Sequence, residues 1–333
     1  MREKWIKAGL ALLMVLGLTG CTKTSDVPEN QDGAKAHGAL RVEGTRLTDE
    51  HGDAVQLRGM SSHGILWYPE YLCRESMESL RAQGANVFRL AAYSDDPGGG
   101  YLSEPEKTLE LVRQGIRAAR ESDLYVIVDW HTLSDADPNR HVDEAKTFFD
   151  TVAGEQAGKK DVIYEICNEP NSGTSWEQIR EYAGQVIPVI RKYSPEALIL
   201  VGTPEYSFDI TKVCGEKLED EQVMYTFHYY AGQSNEQYEQ MMETCHNSGV
   251  PVFVSEWGIQ TDSGYGDSGE NLQKGEKFES YLNRHGISWT AWSLSNKEEP
   301  FSLLKPDCGK LSDWGQDDLT EVGKILWKSL KIS

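Results

Sequence analysis

Short apolar segments alternate with amphipathic stretches along this chain from about residue 39 onward. Strand-like segments lie at about residues 55–60, 86–91, 124–130, 161–166, 197–202, 223–227, 251–256 and 287–292. Several are runs of β-branched residues, such as those around Val126 and Val254, which suit strands buried on both faces of a parallel sheet. Helical patterns such as 106–120 and 177–192 separate them. About eight strand–helix units in roughly 280 residues favour a closed (β/α)8 TIM barrel, an α/β fold, over a doubly wound sheet.

A short β-hairpin is predicted in front of the barrel. Its strands are Leu40-Arg41-Val42 and Val55-Gln56-Leu57, with Gly44 and Gly52 in the turns. No GxGxxG motif opens a helix after a strand, and this disfavours a dinucleotide-binding fold. We therefore expect residues 39–333 to form one barrel domain.

The N-terminal residues are typical of an export signal. Basic residues Arg2, Lys4 and Lys7 precede an apolar run over 8–18, which is shorter than the ~20 residues that span a membrane. The run ends in Leu-Thr-Gly-Cys21, which resembles the bacterial lipoprotein signal, and an ordinary cleaved signal is the alternative. The resemblance implies removal of residues 1–20, lipidation of Cys21 and a flexible tether over 21–38. We expect a cell-surface or extracellular protein held to a membrane by this lipid.

Charge and cysteine content exclude several classes of protein. Lys and Arg total 33 against 53 Asp and Glu, and the net charge of −20 disfavours binding to nucleic acid. Without Cys21, five of the six cysteines remain, so some can pair after export but at least one stays unpaired. No cysteine or histidine cluster has metal-site spacing, and we expect neither a metal nor a cofactor.

The ends of the predicted strands carry the chemistry, since a barrel of this type builds its active site at the carboxyl ends of its strands. Two of these ends bear carboxylates, Glu169 in Asn168-Glu169-Pro170 and Glu256 in Ser255-Glu256-Trp257-Gly258. Two facing carboxylates among aromatic rings suit the hydrolysis of glycosidic bonds. Asp129 and Glu165 are expected in the barrel interior rather than as catalysts, and Glu205 as a loop residue.

The chain resembles glycoside hydrolase family 5, in particular its bacterial endo-β-1,4-glucanase branch, over about residues 39–330. The segments that carry the resemblance are 61–64, 87–89, 128–131, 163–170, 226–230, 253–258 and 292–297. The ordered Asn-Glu-Pro and Ser-Glu-Trp-Gly motifs are its most specific part.

The resemblance implies a retaining mechanism, with Glu169 as acid/base and Glu256 as nucleophile. The charge of Glu256 would then raise the pKa of Glu169. Arg89 and Tyr230 would keep Glu256 ionised, and Asn168 would bind the sugar 2-hydroxyl. The other implied binding residues are His131, His228, Trp292, His63, Trp67, Tyr93, Lys297 and Glu299. Tyr206 occupies a position where the branch usually has Trp, which weakens the expected stacking on the leaving-group side.

The expected substrate is therefore a β-1,4-glucan, cut internally by a monomeric enzyme. A β-mannanase, a xyloglucanase or a xylanase would use the same chemistry, so these substrates remain open. A non-catalytic glycan-binding lipoprotein would need aromatic residues but no pair of glutamates, and the pair therefore argues against it.

Overall fold

The computed structural model describes residues 33–234 and 236–331. The predicted signal segment, Cys21 and most of the predicted tether lie outside these ranges. Within the described residues, no helix has the length and apolar character needed to cross a membrane. Ala34–His37, at the end of the predicted tether, forms a short helix whose first residue, Ala34, donates its backbone N–H to the carbonyl of Asp123. The folded unit thus begins a few residues before the predicted boundary at residue 39.

Eight parallel strands close into a barrel, as the sequence predicts. After the two hairpin strands, they are β3 (Arg58–Ser62), β4 (Val87–Tyr93), β5 (Tyr125–His131), β6 (Val162–Glu165), β7 (Ile199–Val201), β8 (Val223–Ala231), β9 (Val252–Ile259) and β10 (Trp289–Leu294). They follow one another around the barrel in chain order, and β10 closes it by pairing with β3. All eight predicted strands are present, so the (β/α)8 prediction is confirmed.

Helices surround the barrel, and all except α1 and α9 lie between consecutive barrel strands. They are α1 (Ala34–His37), α2 (Arg74–Gln83), α3 (Pro105–Glu121), α4 (Val142–Glu155), α5 (Trp176–Arg191), α6 (Pro204–Ser207), α7 (Tyr238–Asn247), α8 (Ser268–His285) and α9 (Glu321–Ser329). Helix α5 begins with a capping box, in which Ser175 and Gln178 bond each other's backbone N–H groups. Helix α3 begins with Pro105 and buries Leu109, Val112 and Ile116 along one face, the spacing of an amphipathic helix.

The predicted hairpin exists, but its second strand was placed wrongly. Strand β1 (Arg41–Glu43) pairs with β2 (Arg46–Thr48) rather than with residues 55–57. The tight turn forms because Gly44 adopts a φ of 65°. Val55 and Leu57 are instead buried in a cluster with Leu40 and Leu47. Their apolar character therefore reflects packing at the barrel base rather than pairing with β1.

Side chains along a strand point alternately into the barrel and outward toward the helices. On β5, Tyr125 and Ile127 belong to the apolar cluster inside the barrel, whereas Val126 and Val128 pack in the larger cluster with the helices. The next interior position on the same strand is Asp129, which is completely buried. Charged residues thus form a layer above the apolar cluster, directly below the carboxyl ends of the strands.

The five cysteines within the described residues are free thiols. Cys167 is completely buried, as expected from the apolar segment in which it lies. None of these cysteines lines the cleft described below.

Candidate active site

Glu169 and Glu256 meet at the carboxyl end of the barrel. Glu169 follows β6, and Glu256 lies on β9. One carboxylate oxygen of each residue and a ring nitrogen of His228 lie within 4.8 Å of one another. A cleft of about 720 Å³ opens above them. The barrel thus brings together the two carboxylates that the sequence separates by almost ninety residues.

Both oxygens of Glu256 accept hydrogen bonds, one from the buried Arg89 and one from the partly buried Tyr230. Nη1 of Arg89 lies 2.9 Å from Oε2, and the hydroxyl of Tyr230 lies 2.6 Å from Oε1. Burial, followed by the charge of Glu256, raises the pKa of Tyr230 well above its usual value, so the phenol stays a donor. Charge-assisted bonds to both oxygens stabilise the negative charge of Glu256.

Arg89 also organises the layer beneath the cleft. It is completely buried, and it also contacts Glu165 at 2.7 Å, Asp129 at 3.0 Å, Asn168 at 2.7 Å and the hydroxyl of Ser61 at 3.3 Å. Asp129 and Glu165 are therefore interior groups, as the sequence indicates. A single guanidinium on β4 thus links residues that belong to or follow β5, β6 and β9.

The environment of Glu169 favours its protonated form. Burial raises its pKa to about 8, with the charges of Asp129 and Glu165 adding to the shift and Arg89 opposing it. The sequence analysis expected the charge of Glu256 to be the cause, but burial is the largest one. Oε1 of Glu169 lies 2.8 Å from Nδ1 of His228, whose pKa burial lowers to about 4. His228 is therefore a neutral ring at neutral pH.

The direction of the bond between Glu169 and His228 follows from their neighbours. Ser255 donates its hydroxyl proton to Glu165 at 2.7 Å, so its oxygen accepts from Nε2–H of His228 at 3.0 Å. A neutral imidazole protonated at Nε2 has an acceptor at Nδ1. The protonated carboxyl group of Glu169 therefore donates its hydrogen bond to Nδ1. Nothing in the sequence analysis assigned a role to Ser255, although it stands directly before Glu256.

His131 and Asn168 form a second buried chain of hydrogen bonds. Because Oδ1 of Asn168 accepts from Arg89, its amide nitrogen faces Nε2 of His131 at 3.2 Å. Nδ1 of His131 then carries the ring proton and donates it to Asp129 at 2.6 Å. The Asn168 amide also lies 3.2 Å from the carbonyl oxygen of Thr132. To donate to a sugar hydroxyl, as the sequence predicts, Asn168 must exchange one of these bonds.

Aromatic rings form one wall of the cleft. The ring centroids of Trp67 and Tyr93 are 4.5 Å apart, and those of His63 and Trp292 are 5.1 Å apart. At the rim, Nζ of Lys297 lies 2.6 Å from Glu299 and 3.1 Å from Nε2 of His63. The structure therefore brings six of the predicted binding residues together in one wall.

The opposite side of the cleft is built by segments that follow β7 and β8. Tyr206 lies there with 49% of its surface exposed. Glu205, Tyr206 and Ser207 have positive φ values of 54°, 60° and 56°. Phe208, Gln233 and Phe301 also line the cleft, and the sequence analysis did not identify them. They lie in loops without a strand-end motif, so no sequence signal pointed to them.

The described residues contain one group of three His, Cys, Asp or Glu side chains close enough to share a metal ion. Its members are Glu169, His228 and Glu256. Their facing atoms already bond to one another, to Arg89 or to Tyr230. The donor set is therefore better matched to proton transfer than to metal coordination.

Comparison with known proteins gives a consistent result. Residues 48–298 match the family described as Cellulase (glycosyl hydrolase family 5). The chain is 41% identical over 303 residues to endoglucanase A of Butyrivibrio fibrisolvens, covering 90% of this chain and 70% of that protein. It is 40% identical over 299 residues to endoglucanase 5 of Pectobacterium carotovorum subsp. carotovorum, covering 89% of this chain and 58% of the relative.

A solved structure with the same architecture contains a bound oligosaccharide. The catalytic domain of Thermobifida fusca endoglucanase Cel5A, in complex with cellotetraose, superposes with a TM-score of 0.83 at 34% identity. The match covers 89% of this chain and 98% of that one.

Proposed function

Since the chain belongs to glycosyl hydrolase family 5, we propose that it is a retaining endo-β-1,4-glucanase that cuts internal bonds of cellulose and related β-glucans. The observation that carries the proposal is the pair of carboxylates in opposite environments. Glu169 is mostly buried beside a neutral acceptor and has a pKa of about 8, whereas Glu256 accepts bonds from Arg89 and Tyr230. An acid and an anion held side by side are what the double-displacement mechanism needs.

In the first step, Glu169 gives its proton to the glycosidic oxygen while a carboxylate oxygen of Glu256 attacks the anomeric carbon. The bond to the leaving sugar breaks, and a glycosyl ester forms on Glu256. The approach of the carboxylate oxygens to within 4.8 Å leaves no space for a water between Glu256 and the sugar. This spacing supports a retaining rather than an inverting reaction, for which carboxyl groups lie ~6.5–9.5 Å apart.

In the second step, Glu169 acts as a base. It takes a proton from a water molecule, whose oxygen attacks the anomeric carbon and releases Glu256. The proton returns to Glu169, so the resting state is restored. His228 and Ser255 position Glu169 through both steps, and Arg89 stabilises the charge that returns to Glu256.

The walls of the cleft support a neutral β-glucan as substrate. Trp67 and Trp292 offer flat apolar faces to sugar rings, and Lys297 and Glu299 offer polar groups to the hydroxyls. Endoglucanase relatives at about 40% identity point to the same class. The net charge of −20 disfavours anionic polysaccharides such as pectate.

A panel of polysaccharides tests the proposal. We expect a rapid fall in viscosity and release of reducing ends from mixed-linkage β-glucan, a slower reaction with carboxymethylcellulose because its carboxymethyl groups are anionic, and much slower reaction with mannan, xyloglucan and xylan. Proton NMR of the fresh product should show the β-anomer first. A clear preference for mannan would contradict the substrate, and an initial α-anomer would contradict the retaining mechanism.

We further propose that the protein acts as a monomer at the cell surface, anchored by a lipid on Cys21. The lipoprotein-like segment that ends at Cys21 supports the anchor. All groups required by the mechanism come from one chain, which is consistent with a monomer. The substrate is a large polymer outside the cell, where an anchored enzyme can reach it.

A further inference from the structure

A second depression, which we call the outer groove, adjoins the cleft next to Tyr206. It has a volume of about 430 Å³ and shares Glu205 and Phe208 with the cleft. Its remaining lining residues are Asp209, Thr211, Gln237, Gln240, Met241 and Thr244. The outer groove thus lies between the segment that follows β7 and helix α7, and it adjoins the cleft at Glu205 and Phe208.

The position of the acid decides which half of a bound chain points toward the outer groove. Glu169 gives its proton to the leaving oxygen, so the leaving half lies on the side of Glu169. This residue follows β6, and the outer groove starts with residues that follow β7, the neighbouring strand. The wall containing Trp67 and Trp292 belongs to β3 and β10, away from this side. The outer groove is therefore on the leaving-group side.

The chemistry of the outer groove suits a neutral sugar. Phe208 and Met241 are partly buried and give it an apolar floor. The side-chain amide of Gln240 is exposed and makes no hydrogen bond to any residue within 33–234 or 236–331. Amide groups beside an apolar surface match sugar hydroxyls beside C–H faces, and volumes of this size are typical of ligand sites. The carboxylates of Glu205 and Asp209 disfavour an anionic ligand.

The junction between cleft and groove is held in one conformation. Ser207 has a positive φ, and its Oγ donates to the carbonyl of Asn168 at 2.5 Å. The same oxygen accepts from the backbone N–H of Thr203 at 3.1 Å and from the hydroxyl of Thr226 at 3.0 Å. These bonds fix Glu205 and Phe208 where the two depressions meet. A chain leaving the cleft therefore meets a preformed surface.

We propose that the outer groove binds further glucosyl units of the leaving chain, beyond those that the cleft itself holds. This inference rests on the proposed endoglucanase function. It makes the enzyme select bonds that have several sugar units on the reducing-end side. Longer oligosaccharides then react faster because they can occupy both depressions.

The test compares cello-oligosaccharides of different length. The full chain and the Gln240→Ala variant are given cellotetraose and cellohexaose labelled at the reducing end, and kcat/KM and cleavage positions are measured. Gln185→Ala is the matched control, because Gln185 is also an exposed helical glutamine and lies outside both depressions. Phe208→Leu is a second variant that keeps an apolar side chain but removes the flat face.

We expect the ratio of kcat/KM for cellohexaose over cellotetraose to fall about 2- to 10-fold in Gln240→Ala, the range expected for one lost hydrogen bond. Cleavage should shift toward bonds nearer the reducing end, and Gln185→Ala should match the parent protein. An unchanged ratio and cleavage pattern in both groove variants would overturn the inference and leave the endoglucanase function intact. Absence of hydrolysis of any β-1,4-glucan by the parent protein would instead overturn the proposed function.

Discussion

His228 lies with Nδ1 2.8 Å from Oε1 of Glu169, and its other nitrogen bonds to Ser255. Because Ser255 donates to Glu165, the neutral ring presents an acceptor to Glu169. This bond stabilises the acid form of Glu169 and adds to the effect of burial. The proton that the first catalytic step consumes is therefore held in place before the substrate binds.

The pH dependence of the rate should reflect this relationship. Only protonated Glu169 can donate to the leaving oxygen, and its protonated fraction falls as the pH rises through its pKa of about 8. We expect kcat/KM to fall above about pH 8, measured with a soluble β-glucan oligosaccharide.

Removal of the Ser255 hydroxyl should move this fall in kcat/KM, the alkaline limb of the pH profile, to lower pH. In Ser255→Ala, the His228 proton can move to Nδ1 and donate to Glu169, which favours the carboxylate. We expect a shift of about one pH unit. The control is Ser62→Ala, because Ser62 is a buried barrel serine that bonds to the backbone of Ala91 instead. An alkaline limb that stays in place in Ser255→Ala would contradict the assigned bond direction.

The two glutamates should be indispensable but for different reasons. Glu169→Gln and Glu256→Gln should each lower the rate on a soluble β-glucan at least ~10³-fold, with an unchanged circular dichroism spectrum. An aryl glycoside with a good leaving group needs no proton in the first step, so Glu169→Gln should still form the glycosyl ester from it, unlike Glu256→Gln. The exposed helical Glu177→Gln serves as the control. Near-normal activity of either active-site variant would refute the assignment.

Activity should not depend on a metal ion. The acid, the nucleophile and their positioning groups are side chains of this chain, and the atoms of Glu169, His228 and Glu256 that could share an ion already bond within the site. The rate should therefore be the same after dialysis against EDTA. Loss of activity that an added divalent metal restores would reveal a further site.

The location of the protein should depend on Cys21. In Cys21→Ala the lipid has no attachment point, so the protein should leave the membrane fraction. The rate of the released protein should be unchanged, because Cys21 is separated in sequence from the barrel. The measurement is activity in soluble and membrane fractions, and persistent membrane association of the variant would indicate another anchor.

The barrel and the catalytic pair could be predicted because both leave a local signal. Continuous β-branched runs mark several of the strands, and the carboxylates of Glu169 and Glu256 at two strand ends mark the mouth. The partner of β1 had no such signal, since the apolar pattern at Val55 and Leu57 is the same for a strand as for packing at the barrel base. Pairing depended on the turn at Gly44, whose short connection favours Arg46–Thr48.

The role of Ser255 could not be predicted from alternation. Adjacent residues on a regular strand point to opposite faces, so Ser255 and Glu256 would not both reach the catalytic centre. The pairing of β8 with β9 is irregular between Thr226 and His228. Ser255 and Glu256 lie beside this irregularity, and both side chains take part in the hydrogen bonds of the site. Such a local departure depends on the closed barrel and leaves no trace in the sequence.

The bonds of Arg89 have a consequence for how such a site can evolve. The three carboxylates share one buried guanidinium, so replacing Asp129, Glu165 or Glu256 alone changes the charge balance of the whole layer and disturbs the two pairs that remain. These positions therefore constrain one another. Tyr206 and Gln240 are exposed and can be exchanged one at a time. New substrate preferences can thus arise by gradual drift at the rim, while the hydrolytic chemistry stays fixed.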